Sequence, residues 1–184
     1  MYNRLTTANF FTSLDTPDKI HCYADAGFMS DFDKGRSQTG FVIMYMGAAI
    51  VWKSEKQTTT ATSTNHSEII ALYEATRDCV WINILRKTIC NSAKLDYKQE
   101  TIKIYEDNAA CIKQVESGFI KSNKTKHILS KYFYTTEING NEITVTPISS
   151  SENVADIFTK TLSPILHWKH ARKLGLIRKS ELMS

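Results

Sequence analysis

Four acidic residues stand where carboxylates could be brought together to bind metal ions. Asp25 and Asp107 each end an alternating apolar run, Glu68 opens a long apolar helix, and Asp156 lies in a short helix-like segment. Clustered carboxylates repel one another unless cations neutralise them, and Mg²⁺ prefers oxygen ligands. Two such ions about 4 Å apart would clamp the attacking and leaving oxygens of a phosphodiester. The four acids therefore predict phosphodiester hydrolysis.

Each acid also has a purely structural explanation. Glu68 follows Asn65 by three residues, which is the spacing of a reciprocal helix cap. Asp107 could be the N-cap of the helix that follows it, which would not prevent metal binding. Asp25 and Asp156 interrupt segments that are otherwise apolar, where a buried carboxylate needs a cation. The four acids together, in this order of elements, favour metal binding.

Apolar periodicity predicts an α/β domain. Residues 1–18 are interpreted as a tail or connection, and residues 19–184 as the domain. Period-two alternation predicts strands over 21–28, 39–46, 48–52, 101–105 and 142–148. Helical spacing and capping residues predict helices over 68–89, 108–118, 126–138, 152–160 and 164–174. The order βββαβααβαα implies a mixed sheet with helices packed on its faces.

Composition and charge are those of a globular domain with a basic C-terminal part. The chain is 42% hydrophobic, and its net charge is +4. The excess of Lys and Arg is confined to residues 118–184, which suits a polyanionic partner or, equally, a solvated lysine-rich surface. No apolar run is long enough to span a membrane, so no membrane partner is expected. The four cysteines form no Cys-x-x-Cys pair and are predicted to be buried free thiols.

Eight sequence blocks in order resemble one family, the ribonuclease H domain of copia-type (Pseudoviridae) LTR retrotransposon polyproteins. The resemblance covers nearly the whole chain. Its blocks are YADA (23–26), RSQTGF (36–41), VWKSEKQ (51–57), ATST (61–64) with Glu68, YEDN (105–108), TKHI (125–128), AD (155–156) with TK (159–160), and LG (174–175).

The resemblance implies a ribonuclease H-like fold, with a five-stranded mixed sheet in the order 3-2-1-4-5 and helices on both faces. It also implies cleavage of the RNA strand of an RNA–DNA hybrid with two Mg²⁺ ions, for which Mn²⁺ could substitute. Asp25 would bridge both ions, Asp156 would hold the one that activates water, and Glu68 with Asp107 would hold the other. Further residues are candidates for contacts to nucleic acid: Asn108, Lys121, Lys124, Lys126 and His127.

The resemblance further implies an upstream reverse transcriptase domain as a partner, and a cytoplasmic virus-like particle as the location. It also shows a departure, because cellular relatives place a His in the loop before the last Asp, and residues 147–153 contain none.

Two other functions stay open. A DNA-acting integrase or resolvase core is the first, and the TKHI block argues against it. A catalytically weak or inactive module that binds nucleic acid or braces a reverse transcriptase is the second. The presence of all four carboxylates disfavours that module, because a brace gains nothing from a repulsive acidic cluster.

Overall fold

The structure, a computed structural model, describes residues 19–31, 33–118 and 129–176. The expected tail at residues 1–18 lies outside these ranges. Within them, two short 3₁₀ helices separate the last strand from the last α-helix. The strands, β1 to β5, are His21–Asp31, Arg36–Tyr45, Ala48–Lys56, Ile102–Glu106 and Ile143–Pro147. The α-helices, α1 to α4, are Thr64–Ser92, Ala109–Ser117, Leu129–Ile138 and Pro164–Lys173.

The five strands form one mixed sheet in the order β3-β2-β1-β4-β5, which confirms the expected topology. Strands β1, β2 and β3 pair antiparallel through short hairpins, whereas β4 runs parallel to both β1 and β5. Parallel neighbours need crossover connections, and α1 supplies the crossover between the hairpins and β4. Strand β1 therefore lies at the centre of the sheet, with β4 beside it.

Apolar side chains are buried on both faces of the sheet. The larger cluster joins α1 to the sheet and includes Ile69, Leu72 and Ile104. A smaller cluster on Val42 and Met44 of β2 packs with Val154 and Leu174, from the segment after β5 and from the end of α4. Helices on both faces were expected, and the two clusters show how each helical layer is held.

Helix α1 is longer than the sequence predicts. The prediction began it at residue 68, but the hydroxyl of Ser63 accepts a hydrogen bond from the His66 N–H at 3.2 Å and caps it one turn earlier. The reciprocal cap between Asn65 and Glu68 is therefore wrong, because both residues lie inside the helix. Glu68 is left free of any capping role.

The helix predicted over 152–160 is wrong in type. The chain there forms two 3₁₀ helices, Ser150–Glu152 and Val154–Phe158, with Asn153 between them in extended backbone. The Asn153 side chain accepts a hydrogen bond from the Ala155 N–H at 3.2 Å and donates one to the Ala24 carbonyl at 2.9 Å. This anchor to β1 holds Asn153 out of a continuous α-helix.

The cysteines agree with the sequence analysis. All four are free, and Cys22, Cys79 and Cys111 are buried, while Cys90 is partly exposed. Within the part of the chain that the structure describes, none of the helices has both the length and the apolar character that crossing a membrane requires.

Candidate metal centre

Two neighbouring parallel strands deliver Asp25 and Asp107 to the same edge of the sheet. Tyr23 of β1 pairs with Tyr105 of β4, and each aspartate follows its tyrosine by two residues. Because the strands run parallel, equal spacing from a paired position places the two carboxylates side by side. Asp25 is fully buried, and Asp107 lies just after the last residue of β4 and is partly exposed.

Helix α1 carries Glu68 over this edge. The buried amide of Gln57 fixes the start of the helix, because its Nε2 donates to the Ser67 carbonyl at 2.9 Å. Asn65 joins α1 to α2 through a hydrogen bond to Gln114 at 2.6 Å. Glu68 directly follows these two anchored residues in the helix and is only 4% exposed.

Asp25, Glu68 and Asp107 form one cluster, whose ligand oxygens all lie within 4.8 Å of one another. Oε2 of Glu68 is buried and finds no hydrogen-bond partner among the described residues. Leaving a buried carboxylate oxygen unpaired is costly unless a cation completes the site. The donors are all carboxylate oxygens, which are the ligands that Mg²⁺ and Mn²⁺ accept. The residues present therefore fit a divalent metal ion.

Asn108, not Asp107, caps helix α2. The Asn108 side-chain oxygen accepts hydrogen bonds from the Ala110 and Cys111 N–H groups, both at 3.0 Å. The capping role proposed for Asp107 is thus wrong, and its carboxylate stays available to the cluster. Asn108 was a candidate for contacts to nucleic acid, and its oxygen is already used in the cap.

Asp156 is joined to the cluster through a lysine. The Lys160 ammonium lies 2.8 Å from Oδ1 of Asp156 and 2.9 Å from Oδ1 of Asp25. The hydroxyl of the preceding residue, Thr159, donates a hydrogen bond to the other oxygen of Asp25. Asp156 is 5% exposed, and it is not in the group of three acids whose oxygens lie within mutual reach.

Two glycines make room for the segment that carries Asp156. A Cβ atom at Gly40 of β2 would lie 2.5 Å from Cγ2 of Thr159 and 2.9 Å from Cβ of Phe158. A Cβ atom at Gly27 would lie 2.8 Å from the Thr159 carbonyl oxygen. The second 3₁₀ helix therefore packs directly on the backbone of β1 and β2. The space it occupies, here called the notch, is open only because Gly27 and Gly40 have no side chain.

Burial and crowding of like charges raise the pKa of three acids at the site, Glu68, Glu106 and Asp156. Burial is the largest cause for Glu68, and the charges of Glu106 and Asp25 add to it, raising its pKa to about 10. Burial likewise raises the pKa of Glu106 to about 8. The pKa of Asp156 is also raised, by burial and the Asp25 charge, although Lys160 opposes this. Protonated acids are what a carboxylate cluster without cations should contain.

Sequence reasoning missed Glu106 and gave Lys160 no role. Glu106 is fully buried beside the cluster, and its Oε1 accepts a hydrogen bond from the Asn108 N–H at 3.0 Å. The two-residue period of a strand was the signal, because it places Glu106 on the same face of β4 as the buried Ile102 and Ile104. Four other candidates for contacts to nucleic acid lie outside the described residues, namely Lys121, Lys124, Lys126 and His127.

Comparisons with known proteins find relatives in sequence and in structure. The chain is 30% identical over 162 residues to the Retrovirus-related Pol polyprotein from transposon TNT 1-94 of Nicotiana tabacum, which covers 88% of this chain and 12% of that protein. It is 26% identical over 160 residues to the Pol polyprotein from transposon RE2 of Arabidopsis thaliana, with 86% and 11% covered. The chain thus spans only about a tenth of the length of these relatives. No protein-family model matches it.

Among solved structures, the fold is similar to that of LC11-RNase H1, which was isolated from compost by a metagenomic approach. The crystal structure of that protein in complex with an RNA/DNA hybrid superposes with a TM-score of 0.56 at 18% identity, covering 77% of this chain and 94% of the other. At this identity the similarity establishes the fold.

Proposed function

Because this chain has the ribonuclease H fold and is homologous to part of the Pol polyproteins of copia-type retrotransposons, we propose that it hydrolyses the RNA strand of RNA–DNA hybrids. The reaction would use two divalent metal ions, Mg²⁺ or Mn²⁺. The observation that carries the proposal is the cluster of Asp25, Glu68 and Asp107, whose oxygens lie within 4.8 Å of one another at the edge of the sheet.

Four carboxylates of this chain would hold the metal ions. Asp25 stands between the other acids, because it contacts Lys160 on the side of Asp156 and belongs to the cluster with Glu68 on the other side. It is therefore the residue best placed to serve both ions. Bound divalent ions supply an activated water molecule and stabilise the charge on the leaving oxygen.

Other residues of the chain orient these acids. Thr159 donates a hydrogen bond to Asp25 and fixes the rotation of its carboxylate. Asn153 ties the segment that carries Asp156 to the backbone of β1. Glu106 is buried, and its pKa is raised to about 8, so it would add a further negative charge to the site when it ionises. These contacts preorganise the site, so that little reorganisation is needed during the reaction.

An RNA–DNA hybrid is the substrate we propose, because LC11-RNase H1, which shares the fold, is known in complex with an RNA/DNA hybrid. The 2′-hydroxyl groups along the minor groove are the feature that would distinguish the RNA strand, so cleavage should depend little on sequence. The Pol polyproteins that the chain matches are far longer than the chain, which supports an upstream reverse transcriptase domain as the proposed partner. A cytoplasmic virus-like particle is the location that the family resemblance alone suggests.

A catalytically inactive module that binds nucleic acid or braces a reverse transcriptase is the second candidate. Lys160 is the observation that favours it, because a permanent salt bridge with Asp25 and Asp156 would close that part of the site to metal. The buried, unpartnered oxygen of Glu68 favours the nuclease, because a brace has no use for it.

The deciding experiment is cleavage of a labelled RNA–DNA hybrid, with double-stranded RNA and double-stranded DNA as controls, in Mg²⁺, in Mn²⁺ and in EDTA. The proposal expects metal-dependent loss of the RNA strand of the hybrid alone. Asp25→Asn should abolish cleavage, whereas Asp31→Asn is the matched control on the same strand, because Asp31 pairs with Lys56 outside the cluster. Hybrid binding without cleavage under every metal condition would support the inactive module instead.

A further inference from the structure

Lys160 places a positive charge inside the acidic site. Its ammonium is 2.9 Å from Oδ1 of Asp25 and 2.8 Å from Oδ1 of Asp156, which are the distances of charge-assisted hydrogen bonds. Both aspartate side chains are buried, but 41% of the lysine side chain is exposed. The lysine therefore reaches the two carboxylates from the solvent side and neutralises charge that would otherwise be repulsive.

The lysine and a divalent ion cannot occupy this position together. A divalent ion held by Asp25 and Asp156 would compete with the ammonium for the same two carboxylates. Two cations at such short separation repel strongly in a partly buried site. Lys160 also lines a surface groove with Gln38 and Thr161, so its side chain has space to withdraw while the sheet stays in place.

We propose that Lys160 is a built-in cation that holds Asp25 and Asp156 together in the metal-free protein and withdraws when these carboxylates take up a divalent ion. The inference rests on the proposed function, which assigns both carboxylates to metal. Lys160 is then a positioning residue that sets the metal concentration at which the site fills. Only the fraction of molecules with the lysine withdrawn is competent to bind, so the apparent metal affinity is lowered by that fraction.

The test is Mn²⁺ binding to the full chain by isothermal titration calorimetry, in the absence of nucleic acid. Lys160→Met should bind Mn²⁺ about tenfold more tightly than wild type, because the competing ammonium is gone. Its melting temperature without metal should fall, because Asp25 and Asp156 are left facing each other. A variant that was merely damaged would bind metal more weakly, so tighter binding has no trivial structural cause.

Lys53→Met is the matched control. Lys53 also bridges two carboxylates, lying 3.0 Å from Glu55 and 3.3 Å from Glu74, but it does so outside the acidic site. This variant should bind Mn²⁺ with the affinity of wild type. Lys160→Arg keeps the charge and should return the affinity toward the wild-type value.

The possible results distinguish a failure of the proposed role of Lys160 from a failure of the proposed function. Mn²⁺ affinity that is unchanged or weaker in Lys160→Met, with binding intact in wild type, would overturn the role of Lys160 and leave the proposed nuclease standing. If wild type shows no Mn²⁺ binding that Asp25→Asn removes, both the role of Lys160 and the proposed nuclease would be overturned.

Discussion

Substituting Gly40 with Ala should disable the site while the domain stays folded. The added Cβ would lie 2.5 Å from Cγ2 of Thr159, whereas ordinary carbon contacts are about 3.5–4.0 Å. The backbone of β2 is held in the sheet by both of its neighbouring strands. The segment that carries Asp156 and Thr159 must therefore move away from it by about 1 Å. Misplacing a reacting group by that distance costs on the order of 10²-fold in rate.

The cost in stability should be moderate. Overpacking of a buried position costs roughly 1–3 kcal/mol, which lowers the melting temperature of a domain of this size by about 2–4 °C per kcal/mol. Gly140→Ala is the matched control. Its φ of +89° makes alanine strained, at about 1–2 kcal/mol, but no atom lies within 4 Å of the added Cβ. It should lose comparable stability and keep its activity.

The assay is cleavage of the labelled RNA–DNA hybrid at saturating Mg²⁺ and 25 °C, with circular dichroism melts of all three proteins. The expected result is a loss of about 10²-fold for Gly40→Ala and less than threefold for Gly140→Ala. Equal losses in the two variants would refute the reasoning, because they would trace the defect to stability alone. Near-normal activity of Gly40→Ala would show that the notch does not position Asp156.

Two further predictions concern pH and the anchor of the 3₁₀ segment. The raised pKa of Glu68, about 10, means that its stabilising contribution is complete below its ordinary pKa and is lost as pH rises toward 10. The metal-free protein should therefore melt at lower temperature at pH 9 than at pH 6, by at least about 3 °C. Glu68→Gln should flatten this dependence, and an unchanged slope in that variant would contradict the assignment. Asn153→Ala should cost roughly 2 kcal/mol in urea unfolding, because it removes the hydrogen bonds to the Ala24 carbonyl and from the Ala155 N–H at a fully buried position. Asn153→Asp should lose at least as much, because it buries a charge and turns a carboxylate oxygen toward the Ala24 carbonyl, and wild-type stability in Asn153→Ala would show that the anchor contributes nothing.

The strands were predictable from local pattern, but their arrangement was not. Alternation of apolar residues in the sequence was enough to predict β1 and β2, although both are buried over unbroken stretches, and the cap at Asn108 marked the start of α2. Nothing in the alternation of β4 and β5 says that they run parallel to β1, and the resemblance to a family supplied that order. The 3₁₀ geometry at Asn153 depends on a hydrogen bond to Ala24, which is 129 residues away and leaves no local signal.

In the candidate site, too, features set by neighbouring residues could be predicted from the sequence, whereas contacts between distant residues could not. The two-residue period of β4 would have been sufficient to find Glu106, and the four-residue spacing of Asp156 and Lys160 would have suggested a pair, although the sequence analysis used neither signal. The contact of Lys160 with Asp25 spans 135 residues and could only be seen in three dimensions. The metal-binding roles of the four acids stay predictions until metal is titrated into the protein.

Because Asn153, which is hydrogen-bonded to Ala24, comes after the last strand, the segment that carries Asp156 can be anchored to β1 only late in synthesis. All five strands are complete by Pro147, so a chain that ended there would hold every sheet partner. It would still lack Asn153, Asp156 and Lys160, which come after the last strand. A frameshift or stop codon in this short stretch would therefore yield a product that keeps the five strand sequences and the Asp25, Glu68 and Asp107 carboxylates but lacks Asp156 and Lys160.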